Sequence, residues 1–217
     1  MGLRLNILSK ATDVLLDILF PRICFGCGRE GKYVCDKCEI FLIEVENNIP
    51  GLVSVWEYEG LMEKLIWKIK FDRKYHILEE LVEKALHRIE LSLPESAYIT
   101  YVPMRKNREK ERGFNQAALI ARRLGQLLPR RKQQPFRVLP MLKKVIDNRS
   151  QVGLNPKERI ENVRDAFAFE GLFVPENVLL VDDVYTTGAT AKECVRVLKK
   201  AGVKKVWIFT LARKLQC

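Results

Sequence analysis

Apolar residues along the chain follow the two spacings that distinguish strands from helices. The uninterrupted apolar run 178–181 predicts a buried strand of a parallel sheet. Short or alternating apolar runs predict further strands at 52–58, 97–103, 136–142 and 204–211, and helical spacing predicts helices at 60–70, 76–90, 115–128 and 190–201. Strands that alternate with helices in this way predict an α/β fold with a mainly parallel sheet.

The N-terminal part of the chain has a different pattern. Apolar positions in residues 1–23 recur at helical spacing, and Asp13 and Asp17 interrupt them, which favours an amphipathic helix over a targeting segment. The sequence has no run of 18 apolar residues, so we expect a soluble, cytoplasmic protein without a membrane span. A chain break at Pro50–Gly51 predicts an N-terminal module at 1–50 and a second domain at 51–217.

Four cysteines in the N-terminal module have the spacing of a metal site. Cys24, Cys27, Cys35 and Cys38 form C-x2-C-x7-C-x2-C, two knuckles that let four thiolates converge on one tetrahedral ion. Two disulfides are the alternative, but a cytosolic protein would keep these thiols reduced. Four thiolates fill the coordination sphere, so we expect one structural Zn²⁺ with no open catalytic position.

The segment after the predicted strand 178–181 carries the most chemistry. Asp182 and Asp183 end the strand, and open α/β sheets bind ligands at that edge. Residues 186–190, Thr-Thr-Gly-Ala-Thr, supply hydroxyls, a glycine and backbone amides at the start of the next helix, which together suit a phosphate monoester. Two carboxylates beside a phosphate site suggest ribose hydroxyls or a Mg²⁺ ion.

The positive charge of the chain is concentrated in one block. Residues 101–150 contain 14 Lys or Arg residues and three acidic residues, a local charge of +11 that equals the net charge of the whole chain. Such a block indicates a polyanion partner, either the pyrophosphate of a small substrate or a nucleic-acid backbone. The alternative is a solvated surface around the basic residues Arg122, Arg123, Arg130, Arg131 and Lys132.

Segment 178–190 resembles the phosphoribosyl pyrophosphate (PRPP) signature of type I phosphoribosyltransferases. With the stretches 102–116 and 149–167 and the four cysteines, the chain is similar to the ComF family of competence-associated proteins from Cys24 to Arg213. This resemblance implies a type I phosphoribosyltransferase fold, a mainly parallel twisted sheet flanked by helices, with a small N-terminal four-cysteine zinc-ribbon module. It also implies that residues 52–90 include the hood that covers the substrate base.

The resemblance also implies roles for individual residues. Asp182 and Asp183 would bind the ribose hydroxyls directly or through Mg²⁺, and would stabilise charge that develops at C1 of the ribose. The expected PRPP-binding residues that follow them are Val184, Tyr185, Thr186, Thr187, Gly188, Ala189 and Thr190, with Tyr185 assigned only proximity. The resemblance makes the basic turn 105–112 the pyrophosphate loop, with Arg105 and Lys106 as the expected contacts and a solvated loop as the alternative.

Other residues of these segments keep two interpretations. Arg112, Asn115 and Gln116 recur in the resemblance, although Asn115 also suits the cap of the helix that starts there. Arg149 and Arg159 lie in a stretch that resembles the mobile catalytic loop over PRPP, where they would reach the pyrophosphate or simply be solvated.

Three functions remain open at this stage. The first is an enzyme that displaces pyrophosphate from PRPP, with Mg²⁺ and an unidentified acceptor. The second is a DNA-uptake factor whose basic block binds single-stranded DNA and whose site senses PRPP or a nucleotide, although residues 101–135 offer only Tyr101 and Phe114 for base stacking. The third is a scaffold whose zinc module binds another DNA-uptake protein.

Overall fold

The computed structural model describes residues 21–92, 97–128, 136–146 and 164–215. The chain divides into two compact units, one up to Leu42 and one from Ile43 onwards. The domain limits expected at 1–50 and 51–217 stay predictions. The amphipathic helix expected at the N-terminus lies largely outside the described residues, and the basic residues Arg130, Arg131, Lys132, Arg149 and Arg159 lie outside them entirely.

A parallel sheet forms the centre of the second unit. The strands of the described residues are β1 (Leu52–Glu57), β2 (Tyr98–Tyr101), β3 (Arg137–Val138), β4 (Leu142–Lys144), β5 (Phe167–Phe169), β6 (Asn177–Tyr185) and β7 (Lys205–Arg213). Five of them pair in the order β1-β7-β6-β2-β3, all parallel, while β4 and β5 form a separate antiparallel pair. The predicted α/β fold with a mainly parallel sheet is confirmed.

Helices connect the strands. The described residues contain α1 (Gly60–Phe71), α2 (His76–Ser92), α3 (Lys106–Arg112), α4 (Gln116–Leu127) and α5 (Ala189–Ala201), and a short 3-10 helix (Glu39–Phe41) in the first unit. Asn115 begins α4, because its side-chain oxygen accepts a hydrogen bond from the Ala118 amide at 3.4 Å. Gly202 ends α5 in the left-handed conformation, with φ of 109°. No helix in the described residues has the length and apolar character needed to cross a bilayer.

The core lies on the central strand β6. Its apolar run 178–181 is fully buried, and Val178 and Leu180 of this run pack with Cys194 and Leu198 of α5. The neighbouring strands β1 and β7 share a buried hydrogen bond between the hydroxyls of Ser54 and Thr210 at 2.7 Å. A rigid central strand with a packed helix behind it gives the residues at its carboxyl end a fixed position.

Two local predictions were wrong. The strand expected over 136–142 is divided between β3 and β4, which belong to different sheets, because Pro140 between them has no amide to donate to a ladder. The basic turn expected at 105–112 is instead helix α3, because its Lys, Arg and Glu residues favour helix and Gly113, with φ of 88°, ends it. Strand β5 was not predicted.

The strand order creates a crevice at one edge of the sheet. The connection after β2 leads through α3 and α4 to β3 on one side, and the connection after β6 leads through α5 to β7 on the other side. Adjacent parallel strands whose connections diverge leave a space beyond their carboxyl ends, where open α/β sheets bind ligands. The residues that follow β2 and those at the end of β6 border this space.

Candidate functional site

Two adjacent carboxylates end the buried part of β6. The register pairs Val181 with Tyr101 of β2, so Asp182 is the first β6 residue beyond that pairing. The amide of Asp183 donates a hydrogen bond to Oδ1 of Asp182 at 2.9 Å, which fixes the first carboxylate against the backbone. Burial raises the pKa of Asp182 to about 8, and the neighbouring charge of Asp183 adds to this effect.

A lysine from α1 reaches this acid pair. Nζ of Lys70 lies 2.7 Å from Oδ2 of Asp183, and the two side chains are only 25% and 13% exposed. Burial opposes the charge of Lys70, but the attraction of Asp183 prevails and raises the pKa of the lysine. Arg112 is close enough for Asp183 to favour its charged form, although burial lowers its pKa overall.

Lys70 is a site residue that was not predicted from the sequence, although the apolar pattern of α1 contains a signal for it. Met62, Ile66 and Lys70 lie four residues apart on one stripe of α1, and the first two are fully buried. A lysine on the buried stripe of an amphipathic helix needs a partner, because an unpaired buried charge is costly. The sequence does not show that the partner is Asp183, which lies far along the chain.

The turn between β6 and α5 has the form expected of a phosphate site. Gly188 immediately precedes the helix with φ of 73° and has no side chain to cap it, and the Thr187 hydroxyl accepts a hydrogen bond from the Ala189 amide at 3.4 Å. The side chain of Tyr185 packs directly against Gly188, so that any side chain at position 188 would overlap the tyrosine hydroxyl. The first turn of α5 therefore brings backbone amides together with the Thr187 hydroxyl, a combination of donors that suits an anion at a helix N-terminus.

A basic cleft lies beside the end of β2. Its volume is about 590 Å³, and it is lined in part by Arg105, Lys106, Lys143, Lys144 and Glu170. The side chain of Asn115 donates a hydrogen bond to the Val102 carbonyl at 3.1 Å, which ties the start of α4 to the residues after β2. The structure thus places the expected pyrophosphate residues Arg105 and Lys106 together with Lys143 and Lys144 of β4, which the sequence analysis did not select.

Aromatic residues form a surface beside α3, which we call the aromatic row: the exposed Trp67, Phe71 and Tyr75 and the half-buried Phe114. Ring centroids are 5.2 Å apart for Trp67 and Phe71, and 5.7 Å apart for Tyr75 and Phe114. The guanidinium of Arg112 lies 6.0 Å from the Phe71 ring centre. Trp67 and Phe71 are 50% and 61% exposed, and Nζ of Lys68 lies 5.4 Å from the Trp67 ring centre.

The four cysteines of the first unit converge as predicted. The sulfur atoms of Cys24, Cys27, Cys35 and Cys38 all lie within 4.8 Å of one another. Zinc–sulfur bonds of about 2.3 Å in a tetrahedron place the sulfurs about 3.8 Å apart, so the cluster fits one zinc ion. Gly26 is required by this geometry, because a Cβ there would lie 2.7 Å from the Cys38 sulfur.

The thiol of Cys24 has a lowered pKa, so it ionises more readily than an ordinary cysteine. Burial opposes its charge, but hydrogen bonds from the backbone amides of Cys35, Cys27 and Gly26 prevail and lower its pKa to about 6. The Cys35 amide is 3.4 Å from the Cys24 sulfur. A sulfur that accepts several amide hydrogen bonds is a good thiolate ligand for a metal ion.

Comparisons with known proteins agree with the resemblance drawn from the motifs. A family model described as the phosphoribosyl transferase domain matches residues 112–217. The chain is 32% identical over 208 residues to Competence protein F of Haemophilus influenzae, with 89% of this chain and 85% of that protein covered. It is 30% identical over 197 residues to Competence protein ComFC of Bacillus subtilis, with coverage of 88% and 78%.

A third relative has a name that concerns DNA. The chain is 27% identical over 212 residues to the DNA utilization protein YhgH of Escherichia coli, with 89% of each chain covered. All three relatives match nearly the whole of this chain. The chain therefore belongs to the ComF family of competence proteins and carries a phosphoribosyltransferase domain.

Proposed function

We propose that the crevice at the end of β6 binds PRPP. The observation that carries this proposal is the continuous unit formed by Asp182, Asp183 and the turn 186–190. This unit puts two carboxylates shortly before the N-terminus of α5, where Gly188 and the Thr187 hydroxyl form the turn into the helix. The carboxylates accept hydrogen bonds from the ribose hydroxyls, and the turn amides and threonine hydroxyls bind the 5′-phosphate.

The basic cleft beside the end of β2 would bind the pyrophosphate part of the ligand. Arg105 and Lys106 bind the pyrophosphate, and Lys143 and Lys144 add positive charge to the same cleft. In the transfer step, a nucleophilic atom of the acceptor forms a bond to C1 of the ribose. The bond from C1 to the pyrophosphate oxygen breaks, and its electron pair leaves with pyrophosphate. The acid pair stabilises the positive charge that develops on the ribose.

Magnesium is the cofactor that this chemistry implies, and the residues present fit it. Asp182 and Asp183 offer the hard carboxylate oxygens that Mg²⁺ prefers. When bound with PRPP, Mg²⁺ supplies positive charge that offsets the negative charge of the pyrophosphate. The basic groups of the chain hold the pyrophosphate from the protein side.

Calorimetric titration of the zinc-loaded protein with PRPP and Mg²⁺ tests the proposal. We expect saturable binding of one PRPP per chain, greatly weakened by the double change Asp182→Asn and Asp183→Asn, because each lost charge-assisted hydrogen bond is worth about 1.5–3 kcal/mol. Asp72→Asn, on the exposed end of α1, is the control and should bind as the unchanged protein does. Equal affinity in the double variant, with an unchanged melting temperature, would contradict the ribose assignment.

A second candidate function is binding of single-stranded DNA, and the aromatic row is the observation that favours it. The basic block itself contains few aromatic residues on which bases could stack. The fold brings Trp67, Phe71 and Tyr75, which lie outside the block, close to α3. A guanidinium nitrogen of Arg73 donates a hydrogen bond to the Glu111 carbonyl at 2.6 Å, which ties the end of α1 to that basic helix. Stacking surfaces beside positive charge are the usual means of binding single strands.

Fluorescence anisotropy with a labelled oligothymidylate at several salt concentrations tests this candidate. We expect the logarithm of the affinity to fall with the logarithm of salt, at a slope of about −0.7 per phosphate neutralised. Trp67→Ala with Phe71→Ala should weaken binding by about 1–3 kcal/mol per stacked base, with little change of slope. Phe173→Ala, an exposed aromatic residue elsewhere, is the control. Equal weakening by the control would remove the aromatic row from the account.

A further inference from the structure

Helix α1 carries two lysine–aspartate pairs of the same length in different environments. Nζ of Lys68 lies 2.7 Å from Asp72 in a pair that is about one-third exposed and connects adjacent turns of the helix. Nζ of Lys70 lies 2.7 Å from Asp183, a residue of the central strand, in a pair that is largely shielded from water. The first is an ordinary surface pair, whereas the second places a lysine at the candidate ligand site.

The environment of Asp183 explains why a cation lies there. Asp182 and Asp183 are neighbours in sequence, and a hydrogen bond from the second amide to the first carboxylate keeps the first side chain close to the backbone. Two partly buried carboxylates that are close together are unfavourable, because their negative charges repel each other and burial removes part of their hydration. Lys70 therefore offsets charge that the strand end would otherwise leave uncompensated.

We propose that Lys70 is the resident cation of the acid pair. It occupies the side of Asp183 that a divalent cation would otherwise take, so it competes with free metal ions and lowers the dependence of ligand binding on Mg²⁺. Lys70 acts on the site through Asp183, so it is a positioning residue rather than a catalytic one. The statement about ligand binding rests on the proposed function, whereas competition with metal ions does not.

Titration of the zinc-loaded full chain with Mn²⁺ alone, followed by the electron paramagnetic resonance signal of free Mn²⁺, tests the competition. Removing one adjacent positive charge in Lys70→Met should tighten Mn²⁺ binding by about tenfold or more. Lys70→Arg should bind Mn²⁺ as weakly as the unchanged protein, because the charge is retained. Lys68→Met is the matched control on the same helix and should have no effect.

Two further variants make the result decisive. Lys70→Gln keeps a polar side chain and replaces Lys70→Met if the latter does not fold, as judged by its melting curve. Adding Asp182→Asn and Asp183→Asn to the Lys70 variant should abolish the gain, which assigns it to the acid pair. Unchanged or weaker Mn²⁺ binding in the folded Lys70 variant would overturn the proposal.

PRPP titrations with and without Mg²⁺ separate this inference from the proposed function. We expect Mg²⁺ to increase PRPP affinity more in Lys70→Met than in the unchanged protein, by about tenfold or more. If the unchanged protein does not bind PRPP but Lys70→Met binds Mn²⁺ more tightly, the proposed function is wrong. The proposal that Lys70 competes with metal ions for the acid pair is then still supported. If PRPP binds and the effect of Mg²⁺ is equal in both proteins, the proposed function stands and the statement that Lys70 lowers the Mg²⁺ dependence of ligand binding is wrong.

Discussion

Glu193 accepts a hydrogen bond from the backbone amide of Asp165 at 2.8 Å and so connects α5 to the chain that enters β5. Arg196 completes this connection, because its guanidinium donates to Glu193 and also to the side chain of Asp165 at 2.6 Å. The helix that begins at the candidate phosphate turn is therefore tied to the segment before β5. Asp165 itself has a positive φ of 56°, a conformation that the connection helps to hold.

Replacing Glu193 should destabilise the protein in a pH-dependent way. The hydrogen bond from Arg196 lowers the pKa of Glu193 in the folded protein. Its carboxylate therefore stabilises the fold above the unfolded pKa of about 4.3, and the stabilisation disappears as the pH falls through the folded pKa. We expect Glu193→Gln to cost about 1 kcal/mol at pH 7 and much less once the pH has fallen below the folded pKa of Glu193.

Urea unfolding at several pH values measures this difference. Glu170→Gln is the control, because Glu170 forms an exposed pair with Lys143 at 3.3 Å that should contribute little. A cost for Glu193→Gln that does not shrink at low pH would mean that the carboxylate charge is not what stabilises the fold.

Gly188→Ala should impair both stability and phosphate binding. Position 188 has a φ of 73°, and a methyl group there would overlap Tyr185, so we expect a loss of about 1–2 kcal/mol together with weaker PRPP binding. Adding Tyr185→Ala removes the overlap but not the backbone strain, so it should recover only part of the stability. Thermal unfolding and calorimetry measure the two effects. If the double variant recovers the full stability of the unchanged protein, alanine at position 188 does not strain the left-handed backbone.

We expect one tightly held zinc ion per chain, bound by the four cysteines of the first unit. Elemental analysis should find about one equivalent, and Gly26→Ala should lower it, because the new methyl group would press on the sulfur of Cys38. Cys217→Ser, outside the cluster, should leave the zinc content unchanged. Less than about half an equivalent, or disulfides found by mass spectrometry, would contradict a closed four-thiolate site.

Arg105 and Lys106, at the start of α3, should contribute more to the affinity for pyrophosphate than the basic residues further along that helix. They line the cleft beside β2, so changing both to Ala should weaken binding of inorganic pyrophosphate, by about 1.5–3 kcal/mol for each charged hydrogen bond lost. Lys110→Ala, in the last turn of α3, is the matched control. Isothermal titration with pyrophosphate measures both, and equal losses would indicate a diffuse electrostatic effect rather than specific contacts.

The parts of the site that the sequence predicts are those that lie close together along the chain. The strand end, the acid pair and the turn up to Thr190 form one short segment. The four cysteines also lie close together along the chain, and their spacing indicates that the thiolates converge on one ion. The contact between Lys70 and Asp183 joins distant segments, so it depends on how α1 packs against the sheet, which periodicity does not specify. The aromatic row was missed for the same reason, since it combines residues of α1 with Tyr75, which lies between α1 and α2, and with Phe114.

The crystal structure of this protein with PRPP and Mg²⁺ tests the central claim most directly. We predict the 5′-phosphate at the turn 186–190, within hydrogen-bond distance of its backbone amides, and the ribose hydroxyls on Asp182 and Asp183. The pyrophosphate should then extend towards Arg105 and Lys106. Electron density for PRPP elsewhere on the chain, with the turn and the acid pair free of ligand, would contradict the account.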